Sequence, residues 1–140
     1  MIYRKEGEML LIRMEDGEEF FPTLQRILSK AKVKFGVILS CVGQLKDVEI
    51  AYYSKAKKKY LKKRMKGPFE VLSLSGNISF FGKERVIHVH ATLGNKKFAC
   101  LGGHLNEAKV NCTLELFILT GRRTVKRKVD KKTGLKLLEF

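Results

Sequence analysis

Hydrophobic and polar residues alternate along much of the chain, and this period of two is typical of β-strands that bury one face. A continuous apolar run within residues 36–42 indicates a strand that is buried on both faces. Gly76 interrupts one alternating segment and predicts either a bulge or a close approach of two backbones. Strands are predicted at residues 9–14, 36–42, 48–53, 60–65, 69–81, 85–93, 98–101 and 112–119, with a weak strand in residues 120–140.

One segment has a different period. Residues 18–32 place Leu24, Ile27 and Leu28 at the spacing of a single helical face. Pro22 falls in the first turn of this helix, where its missing N–H costs nothing. One helix and several strands, joined mostly by short turns, predict an α+β fold built on a largely antiparallel sheet.

The chain has 140 residues, a length that suits a single domain covering residues 1–140. No apolar run reaches the roughly 18 residues that a membrane helix needs, and residues 1–8 lack the apolar core of a signal peptide. The three cysteines, Cys41, Cys100 and Cys112, lie among apolar neighbours and are expected to be buried free thiols of a reducing compartment. We therefore expect a soluble cytoplasmic protein without a membrane partner.

Positive charge is the unusual feature of the composition. Lys and Arg total 29 against 14 acidic residues, and the resulting net charge of +15 favours polyanions, nucleic acid first, as partners. We call residues 55–66 the first basic cluster and residues 122–136 the second basic cluster. Their candidate phosphate contacts are Lys57, Lys58, Lys59, Lys62, Lys63 and Arg64 in the first, and Arg122, Arg123, Lys126, Arg127 and Lys128 in the second.

Two interpretations of these clusters stay open. The charges bind phosphates, or they form the solvated face of a heat-adapted protein that is rich in Lys and Glu. The almost purely positive runs favour phosphate binding, because a solvated face would mix both signs. Tyr52, Tyr53 and Tyr60 beside the first basic cluster either stack on bases or are half-buried strand residues.

All three histidines of the chain fall in two short segments. His88 and His90 are two positions apart in a predicted strand, so both imidazoles leave the same face. His104 follows Gly102 and Gly103 and is expected just past the end of the returning strand, where two glycines permit a sharp turn and a close approach. The histidines either form a tetrahedral site for zinc or another divalent metal, with an open fourth position, or are ordinary surface or core residues.

An open position on zinc would allow hydrolysis, because zinc-bound water loses its proton near neutral pH. Such an enzyme needs a general base, for which Glu107 and Glu115 are the candidates in the sequence. Serine-hydrolase, P-loop and dinucleotide motifs do not occur. A metal-dependent hydrolase, a nucleic-acid-binding module and a scaffold with a structural metal therefore stay as alternatives.

The histidine segments and the turns before them resemble the plants-and-prokaryotes-conserved (PPC) domain family, from about residue 9 to residue 119. The matching segments are residues 36–40, 67–76, 88–91 and 102–105, in the order and at the spacing of the family. Residues 120–140 would then be a basic C-terminal extension of the domain. The resemblance implies a mainly antiparallel β-sheet flanked by helices, assembled as a homotrimer.

The resemblance also implies site residues. His88, His90 and His104 match the positions that hold a metal in some prokaryotic members. In plants the domain occurs with AT-hooks, which bind the minor groove of A·T-rich DNA, and it supports trimer formation and partner binding. The segment similar to the plant partner-contact stretch comprises Gly67, Pro68, Phe69, Glu70, Val71 and Leu72.

The chain departs from the family in two places. It has no Arg-Gly-Arg core of an AT-hook, so DNA binding does not carry over from the plant proteins, and Ala108 stands where the family usually has glycine. We expect a trimeric PPC-domain protein with a three-histidine metal site that acts as a DNA-associated or regulatory binding protein. The alternative is a zinc-dependent hydrolase that acts on a small anionic substrate.

Overall fold

The computed structural model describes all 140 residues as one nine-stranded sheet with a single helix. The elements in chain order are β1 (Ile2–Glu6), β2 (Met9–Glu15), α1 (Phe20–Lys30), β3 (Phe35–Ser54), β4 (Lys59–Met65), β5 (Phe69–Phe81), β6 (Glu84–Gly94), β7 (Cys100–Gly121), β8 (Lys126–Val129) and β9 (Lys136–Glu139). The strand order is β1-β2-β7-β3-β5-β8-β9, while β4 pairs with β3, and β6 pairs with β5 and β7. All pairs are antiparallel except β5 with β8, so the predicted mainly antiparallel α+β fold is confirmed.

The helix α1 forms where the helical period was predicted, with Pro22 in its first turn. Its buried residues are Phe20, Thr23, Leu24, Ile27 and Leu28, which recur at the three- and four-residue spacing of one face. The structure has this one helix where the resemblance implied several, because the remaining segments have the period of strands. The structure contains no helix with the length and apolar character of a membrane span.

Alternate residues of β2 and β7 join the helix in the core. The two strands are antiparallel neighbours, so their inward residues meet in register, as Leu10 does with Ile118 and Met14 with Leu114. All four of these side chains are fully buried. The opposite face of the same strand pair carries Phe117 and its neighbours, which are not covered by the chain itself.

Two predicted interruptions are absent from the structure. β3 runs for 20 residues through Gly43, where the sequence predicted a strand end, and β7 runs for 22 residues through the gap between two predicted strands. Gly43 has a φ of 134°, and a Cβ at this position would lie 2.1 Å from the Thr113 carbonyl oxygen. Register shifts between β3 and β7 break the strict alternation, so the continuity of both strands is not visible in the sequence.

Two further expectations are corrected. β1 was not predicted, because all five of its residues are exposed and no alternation marks them. Of the cysteines expected to be buried, only Cys41 is, and burial raises the pKa of its thiol to about 12. Cys100 and Cys112 are exposed free thiols, since Cys100 begins β7 beside a turn and Cys112 lies at positive φ next to a register shift.

The end of the chain folds back toward the middle of the sheet. β8 and β9 form an antiparallel hairpin, and the backbone N–H of Phe80 at the end of β5 donates to the carbonyl oxygen of Val125 at 2.9 Å. Phe80 also pairs with Lys126 in the parallel register. The hairpin therefore places C-terminal residues beside β5 and β6.

Candidate metal centre

The three histidines converge on one point of the β6–β7 pair. His88 and His90 leave the same face of β6, as the spacing predicted, while Val89 and Ala91 between and beyond them are buried on the other face. The antiparallel register sets His90 directly opposite His104 of β7. Pairing of the two strands, rather than a loop, therefore brings the third imidazole to the first two.

His104 lies within β7 and not past the end of a strand, so the predicted turn at the two glycines is wrong. Gly102 and Gly103 are strand residues whose missing side chains allow neighbouring strands to approach. A Cβ at Gly102 would lie 2.5 Å from the Ala91 carbonyl oxygen, and one at Gly103 would lie 2.9 Å from the Ala51 carbonyl oxygen. The predicted close approach at these glycines is thus present without the turn.

Gly76 provides a second close approach behind the site. It pairs with Val89 in the β5–β6 register, and a Cβ there would lie 2.2 Å from the His88 carbonyl oxygen. The sequence predicted a bulge or a close backbone approach at this glycine, and the structure shows the approach. β5 therefore presses directly against the backbone of β6 at the histidines.

The distances within the cluster suit one small cation. The Nε2 atoms of His88 and His90 are 3.2 Å apart, and one ring nitrogen from each histidine lies within 4.8 Å of the others. Zinc–nitrogen bonds of roughly 2.0–2.1 Å in a tetrahedral site put two ligand atoms about 3.3 Å apart. The His88–His90 pair is already at that separation.

The electrostatics of the cluster favour neutral imidazoles, which are the form that binds metals. Burial first, and then the nearby His104, Arg127 and His90, together lower the pKa of His88 to about 4. Burial also lowers the pKa of His104, with His90 as a second cause. Both groups are therefore uncharged near neutral pH.

One ring nitrogen of the cluster has no partner. His104 Nδ1 is buried and makes no hydrogen bond within the protein. An unpaired buried polar atom typically costs about 1–3 kcal/mol. An orphaned nitrogen inside a group of three neutral imidazoles fits a site built to receive a cation, so the residues present suit a divalent metal.

Aromatic and basic residues that the sequence did not assign to the site surround it. The Tyr60 ring on β4 lies 5.2 Å from the His104 ring, and the Tyr53 ring lies 5.1 Å from that of Tyr60. The Tyr53 hydroxyl donates to the Thr133 carbonyl oxygen at 2.6 Å, which ties the C-terminal extension to β3. Tyr52 is the most exposed of the three tyrosines, at 71% of its surface.

Arg127, which the sequence placed among phosphate contacts, lies against the histidine cluster. Its guanidinium donates to Ser79 Oγ and to Asn77 Oδ1, each at 2.7 Å, and to the carbonyl oxygen of Lys136. A fourth contact, of 3.4 Å, joins it to His88 Nδ1. Arg127 therefore fastens the β8–β9 hairpin to the strands that carry the site, and its position depends on a chain reversal that spacing does not reveal.

A depression of about 490 Å³ opens beside the cluster. β3, β5 and β6 form its floor, and the C-terminal extension forms one wall. Its lining includes Gly76, His88, His90, Leu138 and Phe140. A ligand that approached these two histidines from this side would pass the end of the chain.

The remaining basic residues are spread over the surface. Lys57 and Lys58 lie in the turn between β3 and β4, and the other four candidate phosphate contacts of the first basic cluster lie on β4, an edge strand. Arg122 and Arg123 follow β7 and are exposed. The candidate phosphate contacts that lie on β4 and β8 are all exposed: Lys59, Lys62, Lys63, Arg64, Lys126 and Lys128.

The two general-base candidates lie elsewhere. Glu107 accepts a hydrogen bond from Arg64 at 3.1 Å and lines a groove beside α1 and β4. Glu115 pairs with Arg13 in the β2–β7 register and is exposed. The histidine cluster itself contains no carboxylate.

The segment implied to contact partners begins at a turn. The Gly67-Pro68 peptide bond is cis, and β5 starts at Phe69, which is buried together with Val71. A register irregularity at the following residue leaves Leu72 56% exposed. The segment thus presents Pro68 and Leu72 to solvent and anchors two side chains in the core.

Residues 1–121 match the model of the Plants and Prokaryotes Conserved (PCC) domain family. This chain belongs to that family. The resemblance to PPC proteins is thereby confirmed, and β6 and β7, which carry the three histidines, lie within the matched residues. None of the curated proteins compared with the PPC chain matches it.

Solved structures resemble this PPC chain over almost its full length. A metal-containing protein from Archaeoglobus fulgidus is 32% identical, with a TM-score of 0.87 over 100% of this chain and 99% of that chain. A PPC protein from Pyrococcus horikoshii is 31% identical, with a TM-score of 0.86 over 99% of this chain and 95% of that chain. A proposed DNA-binding protein from Bacteroides thetaiotaomicron is 23% identical, with a TM-score of 0.94 over 99% and 96% of the two chains, and shows the shared fold.

Proposed function

We propose that this PPC protein is a cytoplasmic homotrimer that holds one divalent metal ion per chain, zinc first, and associates with nucleic acid as a regulatory binding protein. The observation that carries the metal site is the convergence of every histidine of the chain, with the Nε2 atoms of His88 and His90 3.2 Å apart. The metal-containing relative from Archaeoglobus fulgidus supports a bound metal in a protein of this family. A bound zinc ion would supply a Lewis acid with an open position.

The nucleic-acid part of the proposal rests on charges that have no partner within the chain. Lys57, Lys59 and Lys63 are exposed and take part in none of the ion pairs of the protein. Lys59 and Lys63 leave the same face of β4, whereas Arg64 leaves the other face and binds Glu49. Unpaired lysines along an exposed strand edge are suited to contact phosphates.

We expect the protein to bind a duplex DNA oligonucleotide with an affinity that falls steeply with salt. The triple variant Lys57→Gln/Lys59→Gln/Lys63→Gln should lower the slope of log K against log salt by about 2–3, because each lost phosphate contact removes about 0.9. Fluorescence anisotropy at several salt concentrations measures both quantities.

The matched control removes three lysines from other elements, in Lys5→Gln/Lys30→Gln/Lys32→Gln, and has the same net charge. An equal fall in slope for both triple variants would mean that net charge alone drives binding and that β4 is not the interface. Binding that does not change with salt would contradict the proposed phosphate contacts altogether.

The homotrimer is supported by an apolar face that the chain leaves open. Phe117 and Leu119 of β7 are 42% and 41% exposed, and they stand in register with Leu11 and Met9 of β2. Leu39 on β3 adds to this face at 55% exposure. Apolar side chains grouped on three adjacent strands are typical of a surface that another subunit covers.

We expect Phe117→Glu to convert the trimer to monomers, because it places a charge in the middle of this face. Sedimentation equilibrium of the variant should give the 16.0 kDa mass of one chain instead of about three times that value. The control is Leu61→Glu, an equally polar change at an exposed apolar residue of β4. A trimer that survives Phe117→Glu, or one that dissociates with Leu61→Glu, would place the interface elsewhere.

Partner binding by Gly67–Leu72 stays part of the proposal, and the exposed Leu72 side chain supports it. The hydrolase alternative finds less support, since Glu107 is bound by Arg64 and the histidine cluster contains no carboxylate. We therefore place binding before catalysis.

A further inference from the structure

The turn between β6 and β7 presents an aromatic ring to solvent. Phe98 is 95% exposed, and its backbone has a φ of 61°. A bulky residue in the left-handed region is an outlier for which sterics favour glycine. A fully exposed phenylalanine also contributes none of the favourable free energy that burial of its side chain would give. Two separate penalties at one residue indicate that the position serves something other than stability.

The turn is held rigid by a single side chain. Asn95 Oδ1 accepts hydrogen bonds from the backbone N–H groups of Lys97 at 2.9 Å and Ala99 at 3.2 Å. The backbone N–H of Phe98 donates to the Asn95 carbonyl oxygen at 2.8 Å, and the Asn95 N–H donates to the Ala99 carbonyl oxygen at 3.0 Å. The backbone of Phe98, and with it the direction of its Cα–Cβ bond, is therefore fixed, so the turn itself needs little ordering when the ring meets a partner.

The charges around the ring point to the chemistry of that partner. Lys96 and Lys97 precede Phe98, are exposed, and take part in no ion pair. A flat apolar ring beside two unpaired ammonium groups matches a ligand that carries flat rings and negative charges in alternation. Nucleic acid with unpaired bases has this composition, and base–aromatic stacking beside phosphate neutralisation is the usual way to bind it.

We propose that the β6–β7 turn is a base-stacking contact for single-stranded nucleic acid, with Phe98 against a base and Lys96 and Lys97 against the neighbouring phosphates. This contact rests on the nucleic-acid association proposed above and specifies the form of nucleic acid. Inside a duplex each base is stacked on both faces, so the ring could reach a base face only if two adjacent base pairs unstacked. The turn therefore distinguishes single strands from duplexes, which the lysines of β4 do not.

The test compares Phe98→Gly with the wild-type protein on a fluorescein-labelled 15-residue oligo(dT) and on a duplex of the same length. Glycine suits the positive φ, so the fold is expected to persist. We expect the affinity for oligo(dT) to fall about tenfold, within the range of one lost stacking contact, while the salt slope and the affinity for the duplex stay unchanged. Tyr3→Ala removes an exposed aromatic ring from β1 and should leave both affinities unchanged.

A second variant reports the contact directly. The chain has no tryptophan, so Phe98→Trp places the single tryptophan of the variant at the turn, where its emission can be excited apart from that of the tyrosines. Its emission should be quenched when oligo(dT) binds, as stacking on a base requires. Unquenched emission in a complex that forms would overturn the base-stacking contact.

The remaining outcomes separate the two proposals. Wild-type affinity for oligo(dT) in Phe98→Gly overturns the stacking contact and leaves the nucleic-acid association standing. Failure of the wild-type protein to bind either oligonucleotide overturns both. A change of oligomeric mass in Phe98→Gly would show that the ring contacts another subunit and would overturn the contact with nucleic acid.

Discussion

Replacing His88 and His90 by alanine should abolish stoichiometric zinc binding. The double variant keeps only His104, and one imidazole does not hold a divalent ion against water and buffer. Elemental analysis of wild-type protein supplied with zinc should give one zinc per chain, and the variant should give none. At a free zinc concentration 100 times the dissociation constant, binding stabilises the wild type by about 2.7 kcal/mol, which is roughly 5–15 °C in a domain of this size.

Chelation distinguishes loss of the metal from damage to the fold. Thermal unfolding in EDTA should lower the midpoint of the wild type toward that of the double variant and should leave the variant unchanged. Tyr52→Ala, a change at an exposed residue of the neighbouring strand β3, should keep full zinc content. A double variant that still carries one zinc, or a wild type that takes up none, would contradict the three-histidine site.

Part of the histidine cluster could be predicted from the sequence, because the strand period alone places two of the histidines on one face. His88 and His90 need only the alternation of β6, which is local. His104 joins them through the β6–β7 register, and the signals for it were its residue type, its rarity in the chain and the resemblance of residues 102–105 to the family. The geometry at Gly102 and Gly103 could not be predicted, because a glycine permits a turn and a close approach equally.

The residues around the histidines could not be predicted from the sequence, for a different reason. Arg127 lies 39 positions from His88, and Tyr60 lies 44 positions from His104, so both contacts depend on how distant strands pair. Neither residue belongs to a motif, and nothing in the sequence distinguishes Arg127 from the other lysines and arginines of the second basic cluster. Charge composition predicts attraction to polyanions, but it does not predict which basic side chain binds other groups of the protein instead of a ligand.

The same limit applies to the strands. Residues with a steady period of two, such as those of β6, were found with nearly correct bounds. β3 and β7 were divided in the prediction because each changes which face is buried at a register shift. The long strands are also what positions the site, since one end of β7 carries His104 and the other pairs with β2. The register shifts that prevented prediction of β3 and β7 as continuous strands therefore belong to the strands that position the histidines.

Glu49 was not singled out by the sequence, yet its ionisation should change the free energy of unfolding substantially in acid. Its side chain is 5% exposed and accepts hydrogen bonds from Arg64 Nε at 2.7 Å and Asn106 Nδ2 at 3.0 Å, with Lys62 Nζ 2.9 Å away. Arg64 first, then Lys62 and Asn106, lower the pKa of Glu49 to about 2 from a usual value of 4.5. Because both cations are largely exposed, we expect about 2 kcal/mol of stabilisation rather than the full value of the shift.

The sign follows from the lowered pKa. The ionised carboxylate stabilises the folded state fully above the unfolded pKa near 4.5, and this contribution is lost as the pH falls toward 2. Glu49→Gln should therefore be about 2 kcal/mol less stable than the wild type at pH 7, and the gap should narrow steadily between pH 4.5 and pH 2. Urea unfolding at several pH values measures it.

Glu107→Gln is the matched control, since Glu107 binds the same Arg64 but is 60% exposed. An exposed pair contributes little, so its effect should stay below about 0.5 kcal/mol. A Glu49→Gln deficit that is the same at every pH would assign the loss to packing instead of charge. Glu49 pairs with Arg64 of β4 and Glu107 of β7 in the register of β3. Two cations of the first basic cluster thus hold β4 to the sheet, and this attachment leaves the lysines on its other face free for a partner.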